Sequence, residues 1–314
     1  MFYFYNLIYT WDIYRKFYII AYVLSIILLA AVLVVGKKVN GARRWIYITE
    51  SLSFQPSELV KLFMIIFYAT ILTKNKDNLK DFANGWIKHL MWLVPIIGLL
   101  VVEPHLSASI VIIGICVIMM VLAGCKIWQI IVPGTVIGIP TLLIAIWKIP
   151  KFAHALKRIT TFLNPWEDKL GDGWQVIQSL YAIGSGGLFG LGLGQSKQKY
   201  LYLPEPQNDF IFSVIAEELG FVGCVFVIVL FAILIWRGIL TAIKAPDMFG
   251  SLLAIGITAL VGIQTIINIA VVTSSMPATG MPLPFFSYGG TALFILLCEM
   301  GILLNISRAG NKNS

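Results

Sequence analysis

The chain has 314 residues, a mean hydropathy of +0.88, and 59% hydrophobic against 12% charged residues. An ordinary soluble domain carries about 25% charge, so that class is excluded and a polytopic helical membrane protein is expected. The net charge of +8 points to an anionic lipid surface or an anionic substrate, and its placement along the chain decides between them.

Residues 1–16 (MFYFYNLIYTWDIYRK) are aromatic-rich but too short for a span and interrupted by Asp12. They read as an interfacial segment or the remnant of a missing helix. A span needs roughly 20 apolar residues to cross a hydrocarbon core of about 30 Å. Eight runs qualify, at about 17–36, 56–73, 86–102, 106–123, 128–147, 213–236, 249–272 and 289–306. They should be helices, because lipid-facing backbone must satisfy its polar groups internally, and they lack the alternation of barrel strands. The first run is of full span length with no small-residue cleavage site, so no cleavable signal is expected. Cys116, Cys125, Cys224 and Cys298 lie in or at the ends of these runs at no metal-ligand spacing and read as small hydrophobes.

Alternate short loops are basic. Arg15 and Lys16 precede the first span, Lys74, Lys76, Lys80 and Lys88 follow the second, and Lys126 follows the fourth. Arg237 and Lys244 follow the sixth, and Arg308 and Lys312 the last. Basic loops stay cytoplasmic, which places both termini inside and 37–55, 148–211 and 273–288 outside. The loop 37–55 departs from this rule, since it carries Lys37, Lys38, Arg43 and Arg44 on the external side. Either these cations are tolerated there or they bind an anionic group, for which guanidinium forks suit phosphate.

The stretch 148–211 is polar, Gly-rich and about 64 residues long, far more than a bundle connection needs. It carries Lys197 and Lys199 among its lysines. Within it, GDGWQVIQSLYAIGSGG has a short-helix pattern with Trp174, Ile177 and Tyr181 on one face, Asp172 as a start cap and Gly184 as an end. That pattern predicts an interfacial helix on the outer leaflet. The following SGGLFGLGLGQS lacks the GK[ST] of a phosphate loop and a preceding strand, so it reads as a flexible or close-packed turn, or as a direct phosphate contact.

A charge inside a span costs on the order of 2.5–3.5 kcal/mol and needs a partner or a job. Glu58 and Lys61, three residues apart, share a helix face and can pair. Glu299 falls near mid-membrane, where Gln264 and Asn268 are positioned to face it. Glu103 and His105 flank Pro104 in a tight external turn, as a loop ion pair or a proton site. Asp209 stands where the chain re-enters the membrane in QNDFIFSVIAEELG. It reads as a helix cap or, at the external mouth after the basic loop, as a general base.

The motifs GARRWI, SFQPSELVKL, FLNPWED, GWQVIQSLYAIGSGGLFGLGLG, QKYLYLPEPQNDFIFSVIAEELGFVG and TGMPLPFFSYGGTALF occur in unbroken order from about residue 17 to 308. In them the chain resembles the shape, elongation, division and sporulation (SEDS) family, FtsW, RodA and SpoVE. The FLNPWED and LPEPQNDF versions are closer to the FtsW/SpoVE branch. The resemblance implies a single all-α integral membrane domain over 1–314 with one large extracellular loop. The family usually has ten spans, so the first two are absent or only partly present here, and losing two keeps the orientation.

The implied activity is that of a peptidoglycan glycosyltransferase in the plasma membrane, polymerising lipid II and releasing undecaprenyl pyrophosphate, in division or sporulation. The family's loop aspartate matches Asp209, the implied base. Arg43, Arg44, Glu58, Lys61, Lys197 and Lys199 form the expected substrate-binding set, with a divalent cation such as Mg or Mn as a candidate helper at the pyrophosphate. A class B penicillin-binding protein is the implied protein partner, and no nucleic acid is expected. The family turn PDLGTA reads PHLSAS here, so His105 receives no family role. Two rival readings remain, a lipid II flippase using Gln264, Asn268 and Glu299, and a scaffold that activates the transpeptidase.

Overall fold

Apolar length translates directly into helices. The computed structural model describes residues 12–39, 42–47, 49, 53–129, 158, 160–169, 171, 173–198 and 206–310. Among these, six helices are long and apolar enough to cross a membrane, and a seventh of 17 residues is shorter. After a short α1 (Asp12–Lys16) come α2 (Tyr18–Val35), α3 (Pro56–Lys74), α4 (Lys88–Val102, extended back to Gly85 by a π-helical turn to give a span of 18 residues) and α5 (Leu106–Leu122). Then follow α6 (Trp174–Gly186), α7 (Ile211–Ile243), α8 (Met248–Val272) and α9 (Gly290–Gly310). The expected span at 128–147 falls, from residue 130 on, outside the described residues, as do Asp172 and Lys199.

The loop expected at 37–55 is not irregular. Lys37–Val39, Ala42–Tyr47 and Ser53–Phe54 form β1, β2 and β3 of a small antiparallel sheet in that order, with Lys38 opposite Arg43 and Ile46 opposite Phe54. The Trp-Ile-Tyr run of β2 supplies the β-branched and aromatic residues that favour strands, a signal hidden by the surrounding cations. Pro56 then starts α3, where its missing N–H costs nothing.

The chain divides into two compact units. One comprises 1–133, 235–261 and 290–314, with α3 as its inner helix: from Val60 to Leu72 nearly every side chain is buried. α2, far less buried, lies against it. Their seam is aromatic. The Tyr22 and Phe67 rings stack at 4.5 Å, and Trp92 of α4 meets both edge-on at 5.2 and 5.4 Å, geometries each worth about 0.5–1.5 kcal/mol beyond burial. The Tyr22 hydroxyl donates to the Trp92 carbonyl at 3.0 Å.

The other unit comprises 134–234 and 262–289. Here α6 runs two residues past the expected Gly184, ending where Gly187 turns left-handed (φ 54°). Its buried face is Val176, Ile177, Ser179 and Ala182, whereas Tyr181 is exposed and packs edge-on to Trp166 at 5.9 Å. Of the three residues expected to share one face, Ile177 is thus buried, Trp174 half-buried and Tyr181 exposed. The Ser179 hydroxyl donates to the Val272 carbonyl at 2.8 Å and holds that side of the helix inward.

The apolar run of α7 conceals a break at Gly220 (φ 66°, ψ −167°). A break strands carbonyls before it and amides after it, and such groups need partners away from water. The segment 187–192 supplies them. Leu191 and Gly192 amides donate to the Glu217 and Glu218 carbonyls (2.9 and 3.0 Å), and the Gly187 and Leu188 carbonyls accept from Phe221 and Val222 (2.9 and 3.1 Å). A Cβ on Gly220 would strike the Gly190 nitrogen and the Leu188 carbonyl, so only glycine fits the crossing. The SGGLFGLGLGQS motif is thus a close-packed strap.

Candidate functional site

Asp209 lies in the turn 206–210 immediately before α7 and is half-buried. Three side-chain and main-chain links fix this turn to 268–288 of the same unit. The Asn268 amide donates both to the Asp209 carbonyl at 2.8 Å and to the Met281 carbonyl at 2.6 Å. Ser287 donates its hydroxyl to the Asn208 carbonyl at 2.5 Å and accepts from the Leu283 amide at 2.7 Å. The Tyr288 amide donates to the Gln207 carbonyl at 2.8 Å. The Asp209 carboxylate faces Gly280: a Cβ there, on a backbone of φ 68°, would come within 3.2 Å of Oδ2. A glycine at that position lets the carboxylate approach the backbone, where any side chain would crowd it. Asn268, 1% exposed, was expected to face Glu299; its amide instead holds Asp209.

Past Asp209, the buried Glu217 carboxylate gathers the loop that carries Lys197. It accepts from the Ser196 hydroxyl at 2.5 Å and from the amides of Lys197 and Gln198 at 3.0 and 3.4 Å. The Lys197 side chain itself is exposed. Glu217 escaped the sequence reading, although an acidic pair inside an apolar run was a visible signal.

The remaining candidates belong to the other unit. Arg43, exposed, donates to the Leu33 carbonyl at the end of α2 at 2.9 Å, and Arg44 donates to the Pro104 carbonyl. Glu58 and Lys61 pair at 2.7 Å as their spacing predicts, with Lys61 only 3% exposed. Glu299, also buried, lies within electrostatic reach of Lys61 and Glu58. Nearby, Gln55 Nε2 lies 3.5 Å from His105 Nε2, and His105 Nδ1 lies 3.9 Å from Glu103 Oε1.

Burial decides the charge state of that last pair. It pushes the Glu103 carboxyl up to about 8, against the opposing pull of Arg44. It also drives the His105 imidazole down to about 3, helped by the positive charges of Arg44 and Lys61. At neutral pH both groups are largely uncharged, so the ion pair expected in this turn is a contact between neutral groups. Among the described residues no group of three or more His, Cys, Asp or Glu side chains is arranged to hold a metal ion.

Comparison with known proteins gives one consistent answer. The family model described as cell cycle protein, covering FtsW, RodA and SpoVE, matches residues 1–312. Stage V sporulation protein E of Bacillus subtilis (strain 168) is 45% identical over 311 residues, 98% of this chain and 83% of that protein. "Probable peptidoglycan glycosyltransferase FtsW" of Trichlorobacter lovleyi is 42% identical over 304 residues, 96% and 78% of the two chains. Among solved structures, a chain from "Structural coordination of polymerization and crosslinking by a peptidoglycan synthase complex" superposes with TM-score 0.78 at 30% identity, covering 96% of this chain and 83% of that one. Rod shape determining protein RodA of Thermus thermophilus gives TM-score 0.66 at 29% identity, covering 94% and 78%.

Proposed function

The chain belongs to the FtsW, RodA and SpoVE family of cell cycle proteins and is a multi-pass membrane peptidoglycan glycosyltransferase, and we propose that Asp209 is its catalytic base. The supporting observation is the anchoring of its main chain by Asn268, with its carboxylate set close against Gly280. A base must be held within reach of the proton it takes, and pre-positioning removes much of the entropic barrier.

In the proposed step the acceptor sugar hydroxyl of lipid II gives its proton to the Asp209 carboxylate. Its oxygen bonds to the anomeric carbon of the donor glycan. The bond from that carbon to the phosphate oxygen breaks, and undecaprenyl pyrophosphate leaves with the electron pair. A pyrophosphate leaves as a stable anion, so the second carboxylic acid that glycosidases use is not needed. Lys197, exposed in the same unit as Asp209, is the proposed cation for the leaving group. Arg43 and Arg44 are proposed to bind lipid II phosphate from the sheet before α3. Lys61, already paired with Glu58, is proposed to orient rather than to bind directly.

Both termini are proposed to be cytoplasmic and the long loop external. A cysteine replacing the exposed Lys169 should react with an impermeant maleimide in intact cells, and one replacing Asn78 should not; the reverse pattern overturns the orientation. A class B penicillin-binding protein is the proposed partner, consistent with the likeness to a synthase that couples polymerisation to cross-linking. Purified protein should polymerise labelled lipid II, and more so with the partner present. Movement of lipid II across vesicles without polymerisation would favour the flippase instead.

A further inference from the structure

The strap that closes the break in α7 carries four large apolar side chains turned away from the protein. Leu188, Phe189, Leu191 and Leu193 are 64%, 81%, 44% and 76% exposed, and no charged residue occurs from 184 to 196. Four exposed apolar side chains on one short segment normally mark a surface that something covers.

What covers them follows from the height at which the strap is fixed. α7 is uncharged from Gly220 to Trp236, and Arg237 marks its far interface. Counting back from Arg237 at 1.5 Å per residue, a hydrocarbon core of about 30 Å is crossed by roughly 20 residues. That places the near boundary close to the first charges, Glu217 and Glu218. The strap is hydrogen-bonded to residues 217, 218, 221 and 222, so it lies at this boundary and up to one helical turn inside it. Phe221, Val222, Val225 and Phe226 of α7 are themselves exposed, and the strap side chains continue that lipid-facing surface. Its backbone is compatible with that depth, since the Gly187, Leu188, Leu191 and Gly192 main-chain groups are paired with α7.

We propose that residues 187–193 form a membrane-dipping wedge, with Leu188, Phe189, Leu191 and Leu193 inserted among the acyl chains of the leaflet that adjoins the long loop. Lys197, just beyond the wedge, stands at headgroup height, where a cation meets lipid phosphate. The wedge anchors the loop to the bilayer surface independently of which residue performs catalysis.

The test uses the full chain in liposomes of phosphatidylethanolamine and phosphatidylglycerol. Cys116, Cys125, Cys224 and Cys298 are replaced by alanine, and a single cysteine at Phe189, Leu193 or Lys169 carries an NBD fluorophore. The F189C and L193C probes should emit in the blue-shifted, apolar range. Phospholipid with a doxyl group at carbon 5 should quench them at least twofold more than the K169C probe. Water-like emission at both positions, with iodide quenching equal to that at Lys169, overturns the proposal. So does a dry probe that doxyl lipid leaves unquenched, which would mean burial against protein. A probe that becomes dry only when a transpeptidase is added would identify a protein-docking surface instead and equally overturn it. Two probe sites keep the test decisive if one variant fails to fold.

Discussion

One amide of Asn268 serves two carbonyls, those of Asp209, 59 positions upstream, and of Met281, and thereby ties the turn before α7 to the segment after α8. Replacing Asn268 by leucine keeps the branched shape, with bulkier ends, and removes both donors. Displacement of a catalytic group by about 1 Å can cost on the order of 10²-fold in rate. N268L should therefore polymerise lipid II about 10²-fold more slowly while remaining folded by circular dichroism. A normal rate would show that Asp209 is placed by other contacts.

Asp209→Asn separates base from cap. Asparagine caps a helix about as well as aspartate, so stability should be nearly unchanged. It takes no proton at neutral pH, so the polymerisation rate should drop by on the order of 10²–10⁴-fold. D209E keeps the charge one methylene further out and should retain at most part of the activity. Rate and melting temperature measured together check this, and a normally active D209N ends the catalytic assignment.

Glu217→Gln replaces an acceptor-only carboxylate by a group that puts an N–H among three donors. Losing hydrogen bonds to a buried charged group costs about 1.5–3 kcal/mol. A lowered melting temperature is expected, with faster hydrogen exchange at the Lys197 and Gln198 amides specifically. Exchange unchanged at those two amides would remove Glu217 from this role.

Glu103 gives a pH signature. Its pKa rises on folding from 4.5 to about 8, so the folded state holds its proton longer, and its contribution to stability is lost as pH climbs through that window. His105, lowered from 6.5 to about 3, acts oppositely but only below 6.5. Between pH 6.5 and 8 the opposing His105 contribution is gone, and Glu103 adds a slope of up to about 1.4 kcal/mol per pH unit. Thermal melts of the wild type should fall over this range, and those of E103Q should be flatter. Parallel curves would show that Glu103 ionises normally.

Arg43→Ala tests phosphate binding with little structural cost, because Arg43 is exposed and its guanidinium bonds to the Leu33 carbonyl at the surface. A charge-assisted contact worth about 1.5–3 kcal/mol predicts an apparent lipid II affinity lowered by about 10- to 150-fold. R44A should do the same and also lower the melting temperature, through loss of its bond to Pro104. Wild-type affinity in both variants would make these cations merely tolerated.

The spans were legible because their signal is local: twenty apolar residues have one low-energy form in lipid. The Glu58–Lys61 pair was legible for the same reason, being three residues apart on one helix. The Gly220 break was not, since hydropathy runs straight through it and its cause is a strap thirty residues upstream. Asn268 misled the sequence reading because a polar residue in a span announces that it has a partner without naming it. Its partner proved to be a main-chain carbonyl, a group every residue owns. The aspartate itself was found through its position at the membrane mouth and through family motifs, whereas what holds it in place required coordinates.

The bonds that bind the Gly187–Gly192 strap to α7 run between main-chain atoms alone. The joint is thus blind to the side chains at Leu188, Phe189 and Leu191, which are spectators of their own fold. These positions are open to replacement by longer, shorter or bulkier apolar residues without disturbing the helix break beneath. In the proposed wedge they are a set of interchangeable fittings, adjustable one residue at a time.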